Sequence, residues 1–188
     1  MANFTKQHIK ETFQTLLEER PLNEISVKLI VETCGINRKS FYYHYQDIPA
    51  LLEEIIAEDT EKVLEECADL HSLEACLTVL LRRIMEHRQA VLHLYASLNR
   101  DVYERNLMKQ CDYTVRSMVE HLLAGRRVRP EDRELVVALY RDECFGILMR
   151  WLMDGMKEDL TVPLRRACQL REGLIEIVLD RCAADAQN

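Results

Sequence analysis

Apolar side chains recur every three or four positions along most of the chain, the spacing that places them on one face of an α-helix. The first set, within 9–17, predicts a helix that Thr5 caps and that ends before Pro21. Two short helices follow, with Gly35 at the turn between them. Longer helices are predicted at about 48–67, 73–84, 90–98, 100–124, 131–156 and 161–178. The pattern therefore predicts an all-α fold.

The helix predicted at 131–156 is apolar nearly all round in its middle, so it must be covered on more than one side. Gly146 and Gly173 fall inside the last two predicted helices, where each destabilises the helix by about 1 kcal/mol relative to alanine. Close approach of another helix explains such glycines and indicates a dimer interface. The residues predicted for it are Gly146, Met149, Trp151, Leu170, Gly173, Leu174 and Ile177.

Residues 37–45 read Asn-Arg-Lys-Ser-Phe-Tyr-Tyr-His-Tyr, a composition unusual for a core helix. The Asn37 side chain can cap this helix. At helical pitch Phe41 and Tyr45 share one face, which can pack on the core. The remaining basic, hydroxyl and imidazole side chains suit contact with phosphates.

The preceding short helix follows Ser26 and carries Val27, Ile30 and Val31 at helical spacing. Two short helices joined at 34–36 form a helix-turn-helix, whose second helix enters the major groove of DNA. Arg38 and Lys39 can then reach guanine O6 and N7, and each good bidentate contact gives about 1–3 kcal/mol of discrimination.

The ordered motifs Leu22-Asn23-Glu24-Ile25-Ser26-Val27, Cys34-Gly35-Ile36-Asn37 and Phe41-Tyr42-Tyr43-His44-Tyr45 resemble the DNA-binding domain of the TetR family of bacterial transcriptional regulators, over Thr5 to Leu52. The run from Gly146 to Gly155 also resembles the C-terminal domain of a subgroup typified by regulators of dihydroxyacetone metabolism. The resemblance implies usually nine helices, a DNA-binding domain at 1–50, and a regulatory and dimerisation domain at 51–188.

The resemblance further implies a homodimer, joined by its last two helices, on a palindromic double-stranded operator. An effector bound in the C-terminal domain, a small molecule or a protein co-regulator, would release or switch it. Implied and predicted DNA contacts are Thr5, Lys6, Ser26, Val27, Asn37, Arg38, Lys39, Ser40, Tyr42, Tyr43 and His44. One departure concerns Ile48, which stands where the family usually has a phosphate-binding lysine.

The net charge of -7 argues against a protein that coats nucleic acid nonspecifically. Residues 1–52 hold six basic and six acidic side chains, so the acidic excess lies beyond them. DNA binding would therefore depend on a few specifically positioned contacts, each of which a dimer would make twice.

The sequence has seven cysteines but no Cys-x-x-Cys pair, and it shows no signal sequence, which predicts a cytoplasmic protein with reduced thiols. It also has no apolar run of membrane-spanning length, so no membrane role is predicted. Cys67, His71 and Cys76 have ligand-like spacing for zinc but lack a fourth ligand, and buried thiols are the alternative. Cys168, beside two arginines, is the one candidate redox thiol. No metal or cofactor is predicted.

An effector pocket can be lined by Tyr95, Tyr103, Met108, Tyr113, Met118 and Cys144, although such side chains at helical spacing are also ordinary core. The leading hypothesis is a DNA-binding transcriptional regulator, repressing or less often activating. The alternative is a helical interaction module or coactivator whose main partner is another protein. An enzyme is disfavoured because no nucleophile elbow, phosphate loop or paired catalytic carboxylates occur.

Overall fold

The computed structural model describes residues 2–68, 72–97, 100–123 and 125–185, and within them all regular structure is helical. The all-α prediction is confirmed, with one α-helix more than the nine implied. A short 3-10 helix spans Leu22–Glu24. The α-helices are α1 (Ala2–Glu19), α2 (Val27–Cys34), α3 (Arg38–His44), α4 (Ile48–Cys67), α5 (Leu73–Glu86), α6 (Arg88–Tyr95), α7 (Arg100–Leu122), α8 (Pro130–Met153), α9 (Thr161–Leu170) and α10 (Leu174–Asp185).

The helices pack into two compact units, residues 1–61 with 84–106 and residues 62–83 with 107–188. Helices α4, α5 and α7 each contribute residues to both units. The domain boundary predicted at residue 50 falls inside α4, and α6 belongs to the same unit as α1, α2 and α3.

The core of the first unit is formed by the apolar stripe of α1 against the short helices. Its buried residues are Ile9, Phe13, Leu16, Leu17, Leu22, Ile25, Ile30, Val31, Phe41, Tyr45, Leu51, Leu52 and Leu94. Leu94 is the contribution of α6 to this set. Burial of these side chains is the main force that holds the helix-turn-helix together.

In the second unit the long helix α8 is buried on several sides, as its apolar sequence predicts. Val136, Val137, Leu148 and Leu152 are each at most 3% exposed. The Trp151 ring is also buried, and its Nε1–H donates to the Glu158 carbonyl 2.8 Å away. Among the described residues, no helix combines the length and apolar character needed to cross a membrane.

Two predictions about helix ends were wrong. Helix α1 begins at Ala2, so Thr5 lies inside it and does not cap it. The single last helix is divided into α9 and α10, because Gly173 adopts the left-handed region with φ +79°. The apolar period continues through this break, which is why the sequence pattern did not reveal it.

Candidate nucleic-acid interface

Helix α3 is positioned by its first and last turns. The Asn37 side chain accepts a hydrogen bond from the Ser40 backbone N–H at 2.9 Å, and this cap begins the helix. Phe41 is 0% exposed and Tyr45 is 4% exposed, so both anchor one face of α3 in the core of the first unit.

The opposite side of α3 presents polar and charged groups to solvent. Arg38 and Lys39 are exposed and, within the described part of the chain, form no ion pair. Tyr42 is 56% exposed and Tyr43 is 77% exposed. His44 is half-buried, with its ring 5.0 Å from the Tyr43 ring and nearly perpendicular to it. The two tyrosines therefore do not pack into the core, and the predicted division of faces is present.

Helix α2 is set against α3 by a cap at each end. Ser26 Oγ accepts from the Leu29 N–H at 3.2 Å, which leaves the Ser26 hydroxyl hydrogen free to donate outward. Gly35 has φ +68° and ends α2 in a left-handed cap, so the chain turns sharply into α3. Val27 is half-buried against the core and Ser40 is half-buried beside the Asn37 cap.

Lys6 lies near the beginning of α1, but its ammonium group is paired with another group of the first unit. Its Nζ is 2.8 Å from Glu54 Oε2 and 5.5 Å from the centre of the Tyr45 ring. Glu54 Oε1 is also 2.8 Å from Nζ of Lys10, and Glu58 binds the same ammonium group. A phosphate would have to compete with Glu54 for Lys6.

Burial acts to lower the pKa of Lys10, but hydrogen bonds from its ammonium group to Glu54 and Glu58 outweigh it and raise that pKa. For Glu54, burial acts to raise the pKa, and the hydrogen bonds from Lys10 and Lys6 hold it below its ordinary value. Burial, and then the charges of Glu54 and Glu58, raise the pKa of Tyr45. Its protonated hydroxyl donates to Glu54 at 3.5 Å. Sequence reasoning missed this cluster, although Glu54 and Glu58 stand four apart on α4.

At the start of α4, Asp47 accepts from the Ala50 N–H at 2.8 Å, as its position predicts. Ile48 is half-buried and packs against the core of the first unit. The side chain at this position is therefore structural. The first turn of α4 also has few N–H groups for an anion, because Pro49 has none, Ala50 donates to the Asp47 side chain and Leu51 donates to the Asp47 carbonyl.

The predicted pocket residues do not all come together. A cavity of about 360 Å³ lies in the second unit, and Met118 and Cys144 line it, whereas Met108 and Tyr113 do not. Tyr95 and Tyr103 lie in the first unit. The lining residues missed from the sequence include Tyr140, Glu143, Ile147, Leu164, Arg171 and Glu176.

The predicted dimer residues are mostly at the surface. Gly146 is exposed, and no atom lies within 4 Å of a Cβ built there. Met149 and Gly173 are half-buried, while Leu170, Leu174 and Ile177 are exposed. Trp151 is an exception, because its side chain is 6% exposed and lies in the core of its own chain.

Buried cysteine thiols were the alternative to a zinc site, and the cysteines are indeed buried or half-buried. His71 lies outside the described residues, and those residues contain no group of three or more side chains able to hold a metal ion. Burial raises the pKa of the Cys168 thiol, so its neighbouring arginines do not produce a thiolate.

One relative is the HTH-type dhaKLM operon transcriptional activator DhaS of Lactococcus lactis subsp. lactis (strain IL1403), 29% identical over 84 residues. That match covers 45% of this chain and 45% of the relative, so the chain spans under half the length of that protein. The solved structure titled "Dihydroxyacetone kinase operon activator DhaS" has the same fold, with a TM-score of 0.70 over 95% of this chain and 96% of that chain. Its sequence identity is 17%.

Two family models match the sequence directly. "Bacterial regulatory proteins, tetR family" matches residues 14–55, which include the whole helix-turn-helix. "Transcriptional regulator C-terminal region" matches residues 71–173, more than half of the chain. With the capped α2 and α3 and the exposed face of α3, these matches show that the chain belongs to the TetR family of DNA-binding bacterial transcriptional regulators.

Proposed function

We propose that this chain binds a palindromic double-stranded operator as a homodimer and is switched by an effector that binds its second unit. The observation that carries the proposal is the surface of α3. Arg38 and Lys39 are exposed without an ion pair among the described residues, on a helix anchored by Phe41 and Tyr45. A basic, rigidly held helix surface is suited to the major groove.

Within this surface, different side chains perform different tasks. Arg38 and Lys39 in the first turn of α3 read base edges, because their donors match guanine O6 and N7. Tyr42, Tyr43 and His44 donate to phosphates, and these contacts set the position of the protein on DNA. Further phosphate contacts would come from the Ser26 hydroxyl, from the cap formed by Asn37 and Ser40, and from the first turns of α1 and α2 near Thr5, Lys6 and Val27.

The homodimer is supported by an unpartnered apolar stripe on α8. Leu139, Gly146 and Met153 are seven residues apart and all exposed, with Leu135 one turn before Leu139. Exposed Leu174 and Ile177 on α10 extend the set. A Cβ built at Gly146 would meet no described atom within 4 Å outside the backbone of its own helix, so a second α8 can approach closely there. Two copies would present two α3 helices to half-sites about 10 bp apart or further.

The proposed activity is repression, in which the free dimer occupies the operator and the effector releases it. Activation is the second candidate, because the Lactococcus lactis relative and the protein of the similar solved structure are operon activators. Transcription from a promoter carrying the selected operator, with and without the protein, decides between them.

The test of DNA binding starts with selection of the preferred sequence from a random pool of duplexes. For that duplex, log affinity should fall by about 0.9 per unit of log salt for each phosphate neutralised. Arg38→Ala should reduce the preference for the selected sequence by about 1–3 kcal/mol, or roughly fivefold to 150-fold. Lys157→Ala in the second unit removes the same charge and serves as the control.

Equal effects of Arg38→Ala and Lys157→Ala would assign the binding to net charge and refute the role of α3. If no sequence is selected from the pool, the chain is not an operator-binding protein. The alternative of a helical module whose main partner is a protein would then replace it.

A further inference from the structure

The cavity of about 360 Å³ in the second unit has a mainly apolar wall. It is lined from α5, α7, α8, α9 and α10, and its volume is within the usual range for small-molecule sites. Its apolar lining consists mainly of Leu77, Met118, Leu122, Cys144, Ile147 and Leu164. Such a wall accommodates the hydrophobic body of a ligand.

The polar lining is acidic, and most of its charges are already paired. Arg171 donates to Glu143, and its guanidinium lies 4.8 Å from the centre of the Tyr140 ring. Glu74 accepts from Arg165 at 3.2 Å. These pairs hold the charged groups at the edge of the cavity in place.

Glu176 differs from these paired carboxylates. Its Oε2 is buried from solvent and has no hydrogen-bond partner among the described residues. A buried carboxylate oxygen without a donor destabilises the structure, since its hydration is lost and not replaced. A ligand that places a charged N–H group there restores that interaction.

We propose that this cavity binds a small organic cation, with its ammonium group at Glu176 and its apolar body against Met118, Ile147 and Leu164. The proposed binding site is inferred from the geometry of the second unit alone. Its role as the effector site rests on the proposed function. An organic anion is disfavoured because Arg171, the one basic residue among the described lining residues, donates to Glu143.

Binding at this site is noncovalent. Two thiols line the cavity, but burial raises the pKa of Cys144 to about 12 and also raises the pKa of Cys168. Both are therefore protonated near neutral pH and are poor nucleophiles. Their part is to complete the apolar wall.

Calorimetry on the DNA-free full chain tests the site with three probes of similar size: tryptamine as the cation, tryptophol as the neutral isostere and indole-3-acetate as the anion. Tryptamine should bind at least about tenfold more tightly than either of the others, the factor expected from one charge-assisted hydrogen bond. Glu176→Gln should remove that preference, while Glu158→Gln, an exposed residue outside the lining, should keep it.

A filling substitution locates the site. Ala167→Phe places a ring in the cavity and should abolish tryptamine binding, with circular dichroism and the unfolding midpoint confirming that the variant is folded. No tryptamine binding at millimolar concentration, equal binding of the three probes, or unchanged binding by Ala167→Phe would overturn the proposal. Operator affinity measured without tryptamine is a separate readout, so failure of DNA binding leaves the calorimetric result intact.

Discussion

At the scale of single residues, the charged cluster of Lys6, Lys10, Glu54 and Glu58 in the first unit has a measurable effect on folding stability. Lys10 is 7% exposed, yet it carries a charge because Glu54 and Glu58 bind its ammonium group. Such a charge is tolerated only while its partners remain, since breaking one side of a buried pair leaves the other without compensation. Glu54 also binds Lys6 and Tyr45, so it joins α1, α4 and the end of α3.

Glu54→Gln should therefore lower the free energy of unfolding by about 1.5 kcal/mol at pH 7, the value for a hydrogen bond to a charged group. Because the pKa of Glu54 is lowered in the folded protein, its contribution is complete above the unfolded pKa of about 4.3. The contribution is lost as pH falls through the folded pKa. Urea unfolding of both proteins at several pH values measures it.

Glu53→Gln is the matched control for this experiment, because Glu53 is exposed and lies next to Glu54. It should change the unfolding free energy by less than about 0.5 kcal/mol. A difference between wild type and Glu54→Gln that stays constant down to pH 3 would contradict the assignment.

At the scale of elements, side chains of α1 and α6 form hydrogen bonds with backbone groups near the ends of each other's helices. Glu18 near the end of α1 accepts from the Ala90 N–H at 3.1 Å, and its other oxygen is 3.1 Å from His87 Nδ1. In return, His93 Nδ1–H donates to the Leu17 carbonyl at 2.7 Å. Each helix therefore caps the other, because terminal N–H and C=O groups lack partners within their own helix.

Glu18→Ala should destabilise the chain by about 1 kcal/mol, the usual effect of losing a helix cap. The Ala90 N–H should also lose protection from hydrogen exchange. Glu19→Ala is the control, because the exposed Glu19 has only a 3.5 Å contact with Arg20. Equal protection of the Ala90 amide in both variants would show that Glu18 is not the cap.

The corner between α9 and α10 depends on Gly173, since φ +79° is unfavourable for residues with a Cβ. No atom lies within 4 Å of a Cβ built there, so the effect of substitution is conformational. Gly173→Ala should destabilise the protein by about 1–2 kcal/mol. Gly173→Asn should destabilise the protein less than Gly173→Ala, because asparagine tolerates positive φ better than alanine does. Thermal unfolding of the two variants measures the difference. A larger loss from asparagine would indicate a steric cause.

At the scale of the whole molecule, the exposed stripe of α8 supports the proposal that a second copy of the chain covers it. Contiguous apolar surface of this kind marks interaction sites in proteins that are otherwise well packed. Three residues of the stripe, Leu135, Leu139 and Met153, were not among the predicted dimer residues. The seven-residue spacing of Leu139 and Met153 on either side of Gly146 was the available sequence signal.

Leu139→Glu should convert the proposed dimer to a folded monomer, because it places a charge within the apolar stripe. Light scattering after gel filtration measures the mass, and circular dichroism monitors the fold. Met85→Glu makes the same kind of change at a 47% exposed position in the first unit and should leave the dimer intact. A dimeric Leu139→Glu protein would place the interface elsewhere.

Operator binding should weaken in the Leu139→Glu variant although α3 is unchanged. A monomer presents one recognition helix, so it loses the gain in affinity from binding two linked half-sites. A monomer with full operator affinity would refute the proposed dimeric complex.

Local features of the fold were predictable because their causes lie within a few residues. The caps at Ser26, Asn37 and Asp47 follow from side chains that reach backbone N–H groups three positions ahead. The division of α3 into the buried Phe41 and Tyr45 and the exposed Tyr42 and Tyr43 follows from helical periodicity.

The sequence by itself determined the helical class, the helix-turn-helix and the family. Only the tertiary structure decided which helices face one another, and so it paired Glu54 with Lys10, Glu18 with Ala90 and Glu143 with Arg171. It also separated Tyr103 from Met118 and placed the break at Gly173. Periodicity reports which side of a helix is apolar, but the partner of that side depends on packing between segments far apart in the chain.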